Sequence, residues 1–112
     1  MIRQKTDEYV KVCVKTWLLC EANVHTELNS DFPRKNLVGQ LDECAKACFA
    51  VVGSLLGTAG EQEEAILNCL INCRSCSLEC KKYPDEEDIF LCSAISGICA
   101  DCMNELFVFA LN

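Results

Sequence analysis

A chain of 112 residues with a formal charge of −7 and no basic patch reads as one acidic domain, and this argues against nucleic-acid binding. Its eleven cysteines, about 10% of the residues, are odd in number and follow a polar amino terminus with no signal-peptide run, so a secreted disulfide scaffold is disfavoured and a cytoplasmic protein with metal or redox chemistry is expected. The longest uncharged stretch, Ala47–Gly60, is too short to span a bilayer and holds three glycines, so no membrane partner is expected.

Four segments carry helical periodicity, and none alternates with period two. The first covers residues 7–29, with Tyr9, Cys13, Trp17, Cys20, Val24 and Leu28 on one face. Asn29-Ser30-Asp31 and Pro33 then make a turn and a new helix start. The second covers residues 34–56, where Leu37, Leu41, Cys44, Cys48, Val51 and Leu55 step by 4 and 3. Gly57 suits its end, and Thr58 with Glu61 fits a capping box for the next helix. The third covers residues 61–82 with the stripe Ile66, Cys69, Cys73, Cys76, Cys80 and Tyr83. Lys81 and Lys82 suit a helix C-terminus, Pro84 stops it, and Asp85–Asp88 opens the next helix with favourable charge. The fourth covers residues 86–111, with Ile89, Cys92, Ile95, Cys99, Cys102, Leu106 and Phe109 inward. Four such rods joined by short turns predict an all-α, antiparallel up-down-up-down four-helix bundle, a single domain over residues 1–112 with a cysteine-lined core.

Cys69, Cys73, Cys76 and Cys80 repeat at the helical interval, so their thiols share one face. Folding the chain at the three turns, with a rise of about 1.5 Å per residue, stacks the sulfurs in levels. Cys76, Cys80 and Cys92 fall at the end made by the first and third turns, with His25 nearby. Cys20, Cys44 and Cys73 come next, then Cys48, Cys69 and Cys99, and Cys13 meets Cys102 at the far end. The pairs Cys44/Cys48, Cys69/Cys73 and Cys76/Cys80 place thiols four residues apart, roughly 5–6 Å between Cβ atoms, where two can lean toward one soft ion.

Other chemistries fit less well. Cysteine is a small buried hydrophobe, but eleven in seam positions pack poorly without filling. The CxxC units Cys73/Cys76 and Cys99/Cys102 resemble zinc-site spacing yet lie inside helices, not in turns. A thioredoxin-like motif needs a preceding strand, and an iron–sulfur cluster fits the ligand type but not the helical continuity. The interval from Cys92 to Cys102 is not repeated between Cys69 and Cys80, against a disulfide-linked hairpin. His25, the only histidine, is either an entry ligand or a surface or capping residue, and Met103 either a thioether donor or plain core. Trp17, Phe107 and Phe109 read as packing. No Glu-x-x-His repeat supports a di-iron site, no serine has a histidine partner, and an enzyme is the least expected outcome.

The segments LDECAKACF and NCLINCRSCSLECKKYPDEEDIFLCSAISGICADC resemble the copper storage proteins, a family of cysteine-rich four-helix bundles, over roughly residues 41 to 102. The resemblance implies many Cu(I) ions held by interior thiols and admitted at one end, assisted by histidine or methionine. Cys44/Cys48, Cys69/Cys73 and Cys76/Cys80 match the paired motif, while Cys13, Cys20, Cys92, Cys99 and Cys102 match only as inward seam positions. Val24, Ile95 and Leu106 stand where further thiols would extend the ladder, and Trp17 separates two cysteines, so a lower capacity is implied. The expected function is Cu(I) storage by ligand exchange, with a copper chaperone or small thiol delivering ions near Cys80, Cys92 and His25. At two thiolates per ion the eleven cysteines would take about five ions, and bridging sulfurs raise that toward ~10. The alternatives are a thiol/disulfide redox module and a zinc or iron–sulfur interaction module. The sequence permits a homo-oligomer.

Overall fold

The computed structural model describes residues 2–57 and 62–111, with no account of the side chains of residues 2–5 and 110–111. Four helices run in chain order: α1 Ile2–Leu28, α2 Lys35–Leu56, α3 Gln62–Cys80 and α4 Glu87–Leu111. No strand occurs among the described residues, and each helix packs on two others, α1 on α2 and α4, α3 on α2 and α4. The expected four-helix bundle is therefore the observed one. Partners across the α1–α4 seam run in opposite directions, from Tyr9 with Glu105 through Cys20 with Cys92 to Asn23 with Asp88. One core gathers side chains from all four helices inside an envelope of 46 × 22 × 19 Å.

Two helix boundaries differ from the sequence expectation by more than one residue. The first helix starts at Ile2, not near residue 7. The third ends at Cys80, not Lys82, because its last turn tightens: Lys82 and Tyr83 donate their N–H groups three residues back, to Glu79 and Cys80, ahead of Pro84. The capping box of Thr58 and Glu61 lies outside the described residues.

The inward faces are where sequence and structure part. On α1 the buried residues are Tyr9, Cys13, Thr16, Cys20, Asn23 and Glu27, while Trp17 and Val24 are half-buried and Leu28 is exposed. On α4 the stripe is Ile89, Cys92, Ser96, Cys99 and Met103, with Ile95 and Cys102 half-buried and Phe109 exposed. In each case a hydroxyl residue took the place of an apolar neighbour. A helical Ser or Thr can bury its oxygen by donating to a carbonyl one turn back. Thr16 Oγ1 donates to the Val12 carbonyl at 2.7 Å, and Ser96 Oγ to the Cys92 carbonyl at 2.7 Å. Trp17 is displaced to the outer α1–α2 seam, where its ring meets Phe49 at 5.0 Å between centroids. On α2 and α3 the expected stripes hold, except that Leu55 and Tyr83 are half-buried and Ser54 is buried.

Among the described residues one window, Glu87–Phe109 in α4, is long and apolar enough to cross a membrane by length and composition. A search for uncharged runs misses it because Asp101 interrupts the sequence. The inner side of α4 carries Cys92, Ser96, Cys99 and Met103 into a core shared with the other helices, and a bundle helix reaches the same composition that way.

Candidate metal centre

Ten of the eleven cysteines have no exposed surface, and all eleven are free thiols. The sulfurs converge on two groups whose Sγ atoms all lie within 4.8 Å of one another: Cys48, Cys69, Cys73 and Cys99, and then Cys20, Cys76 and Cys92. In the first group Cys48–Cys69, Cys48–Cys73 and Cys69–Cys73 are each 3.7 Å apart. Helices α2, α3 and α4 supply it. In the second, Cys20 of α1 meets Cys92 of α4 at 3.5 Å. Cys44 touches the first group through Cys73 at 3.7 Å, and Cys80 touches the second through Cys76 at 4.0 Å. Cys13 lies 3.9 Å from Cys99, and its thiol donates to the Met103 sulfur at 4.0 Å.

The expected levels of Cys48, Cys69 and Cys99 and of Cys76, Cys80 and Cys92 are observed, and the other two differ. Cys20 joins Cys76 and Cys92 while Cys73 joins the four-thiol group, and the far-end partners of Cys13 are Cys99 and Met103, not Cys102. At the far end the rotation of α4 puts Met103 inward and leaves Cys102 half-buried at the bundle surface. His25 is exposed and belongs to neither sulfur group; its backbone carbonyl accepts from the Asn29 side chain at 2.8 Å, in the turn after α1.

Because the thiols crowd together, the ionisation of each depends on its neighbours. The thiols around Cys44, Cys20 first, hold it below the usual range, and Cys13 leads the same effect on Cys99. Their neighbours resist ionisation: Cys13 and Cys44 push Cys48 upward, and Cys44 and Cys76 do so to Cys20. At the α3 terminus Cys76 draws Cys80 down while Cys92 and burial push it up, to about 12. Cys102 is raised by burial, then by Cys99 and the carboxylates of Glu105, Asp101 and Glu8. Glu27 is the only charged side chain buried among the described residues, so no buried cation offsets a thiolate. Backbone N–H groups inside the helices are already committed to carbonyls four residues back. Ionisation of the whole column needs bound cations.

The structure also contains an ion cluster that sequence reasoning missed. Arg34, just ahead of α2, forks onto the carboxylate of buried Glu27, with Nη2 to Oε1 at 2.8 Å and Nε to Oε2 at 2.9 Å. Its backbone N–H donates to Glu27 Oε2 at 2.8 Å. Glu86 takes the outer edge of the guanidinium through two bonds of 2.6 Å, and the guanidinium stacks over the Tyr83 ring at 4.5 Å. Arg34 holds both carboxylates below their usual range. The cluster joins the ends of α1 and α2 to the turn between α3 and α4. Glu86 was visible in the sequence only as one of four acids at a helix start, and Glu27 had no signal at all.

The chain matches no protein-family model, no curated protein and no solved structure. The buried cysteine groups can hold metal ions, and this rests on their geometry alone.

Proposed function

We propose that the protein binds and stores Cu(I), as a cytoplasmic cargo held by cysteine thiolates in the bundle core. The observation that carries this is the pair of buried sulfur groups, one of four thiols and one of three, joined through Cys44, which neighbours Cys73 of the first and Cys20 and Cys76 of the second, and extended by Cys13 and Cys80. Soft thiolates favour Cu(I), and the dry surroundings favour a univalent ion. A divalent ion on four thiolates leaves two negative charges in a core with no cation to balance them. Univalent ions shared between bridging thiolates approach neutrality as they accumulate. The likeness of Cys44/Cys48, Cys69/Cys73 and Cys76/Cys80 to the paired motif of copper storage proteins supports the same reading. A chaperone or small thiol would deliver the ion by ligand exchange.

A titration with Cu(I) against a competing chelator tests this. Storage requires between about five and about ten ions per chain, from two thiolates per ion to full bridging. Saturation at one or two ions rejects it. Zinc is a second reading because the 3.7 Å edges among Cys48, Cys69 and Cys73 suit a tetrahedron, whose edge is about 3.8 Å for metal–sulfur bonds of about 2.3 Å. Under that reading a single Zn(II) withstands Cu(I) competition, and Co(II) gives the visible bands of a tetrahedral tetrathiolate.

A further inference from the structure

The two sulfur groups differ in number, and the number decides what each can hold. In the smaller group Cys20 comes from α1, Cys76 from α3 and Cys92 from α4, so three rods each contribute one thiol. None of the three has exposed surface, and their Sγ atoms lie within 4.8 Å of one another. Cys20 and Cys92 approach to 3.5 Å, closer than the 3.7 Å edges that join Cys48, Cys69 and Cys73. Cys44 stands beside Cys20 and Cys76 but outside the group, which therefore lacks a fourth corner. A three-coordinate pyramidal centre suits this arrangement. With bonds near the zinc–sulfur length of about 2.3 Å and angles narrower than tetrahedral, it draws its sulfurs inside the tetrahedral edge of about 3.8 Å.

Charge points the same way. Among the described residues Glu27 is the one charged side chain that is buried, so no protein cation balances the sulfurs. A single univalent ion on three thiolates leaves two negative charges in the dry core, and a divalent ion leaves one. A trivalent centre leaves none, and it satisfies the group without a counter-ion. Trivalent arsenic is soft, prefers sulfur to oxygen and keeps a lone pair where a fourth ligand would sit. In the four-thiol group the extra thiol would press on that lone pair. Arsenous acid, the hydroxide, is uncharged at neutral pH and enters an apolar interior at lower cost than an ion.

We infer that Cys20, Cys76 and Cys92 form a binding site for a trivalent metalloid hydroxide, arsenous acid, held as an As(III) trithiolate. The step is a condensation. Three As–O bonds break and three As–S bonds form, each thiol proton leaves with a hydroxyl as water, and arsenic stays trivalent. Neutral reactants thus give a neutral product and water. The inference goes beyond copper storage and does not rest on it, although both ligands draw on the same three sulfurs.

Two measurements on the full chain test it, with sodium arsenite as the probe and a phosphine as reductant, since a dithiol would compete. The first needs no substitution. Native mass spectrometry of the parent protein is expected to show a gain of one arsenic less three hydrogens, and X-ray absorption at the arsenic edge three sulfur neighbours and no oxygen. The second locates the tightest equivalent by titration. Cys20→Ser is expected to weaken it at least about tenfold, with Cys92→Ala as the second variant if the first disturbs helicity, whereas Cys48→Ser in the four-thiol group leaves it within about twofold. No adduct, or an arsenic that keeps a hydroxyl on two thiols, overturns the inference. So does a tightest equivalent that survives both Cys20→Ser and Cys92→Ala, or one that Cys48→Ser removes. A parent that saturates at one or two Cu(I) ions yet forms the arsenic trithiolate rejects storage alone. A parent that stores copper and ignores arsenite rejects this site alone.

Discussion

Glu27 accepts one backbone and two side-chain bonds from Arg34, and it is the residue at which charge enters the core. A buried carboxylate is tolerable only when paired and hydrogen-bonded on both oxygens. Glu27→Gln keeps the shape and removes the charge, and the expected cost is about 1–3 kcal/mol in urea unfolding, less than a fully buried pair because Arg34 is partly solvated. The pH dependence has a definite sign. Arg34 lowers the Glu27 carboxyl, so the unfolded chain binds more protons than the folded one through that interval. The stabilisation is complete above the ordinary glutamate range, near about 4.3, and is lost as pH falls through the lowered value. Parent and Glu27→Gln stabilities should therefore converge on acidification; parallel curves would deny the linkage. Glu86, itself exposed, is expected to matter less, with Glu86→Gln costing under about 1 kcal/mol.

At the scale of the elements, α3 and α4 approach closely because small residues face each other. Ser77 Oγ donates to the Ser93 carbonyl at 2.8 Å, and a Cβ on Gly97 would stand 3.2 Å from that oxygen. Alanine at Gly97 gains up to about 1 kcal/mol of helix propensity but crowds a hydroxyl that cannot swing away without losing its bond. Gly97→Ala alone is expected to change stability by less than about 0.5 kcal/mol, and in a Ser77→Ala background to raise it by about 1 kcal/mol. A double-mutant cycle in urea reads the difference; an additive pair would show that the contact is slack. The helices themselves were legible in the sequence, since steps of 3 and 4 persist through all four. Their rotation was not. Hydropathy chose Trp17 and Ile95 over Thr16 and Ser96, whereas the fold chose the residues small enough to sit beside sulfur and able to bond their own backbone.

For the molecule as a whole, the core has exchanged packing for ligand capacity. Ten sulfur atoms occupy positions that Leu and Ile fill in an ordinary bundle, and dispersion contacts are correspondingly fewer. Loading is expected to supply what packing lacks. Free Cu(I) at a hundred times the dissociation constant should raise unfolding stability by about 2.7 kcal/mol per independent site, and a chelator should reverse it. Because Cys20, Cys48, Cys80 and Cys102 resist ionisation, binding at neutral pH should release about one proton for each of these four thiols engaged, measured with an indicator dye in weak buffer. Copper uptake without proton release would mean that the thiolates were already formed.

The sequence alone determined the helical class, the number of rods and the convergence of cysteines, because each depends on periodicity within one segment and short turns leave few ways to assemble four such segments. Which sulfurs meet, that Met103 turns inward while Cys102 stays half-buried, and that Arg34 ties Glu27 to Glu86 were decided only by the tertiary structure. These depend on the rotation and axial offset of one helix against another, and an error of one residue in a seam, such as Cys102 for Met103, turns a side chain through about 100° and carries it from interior to surface.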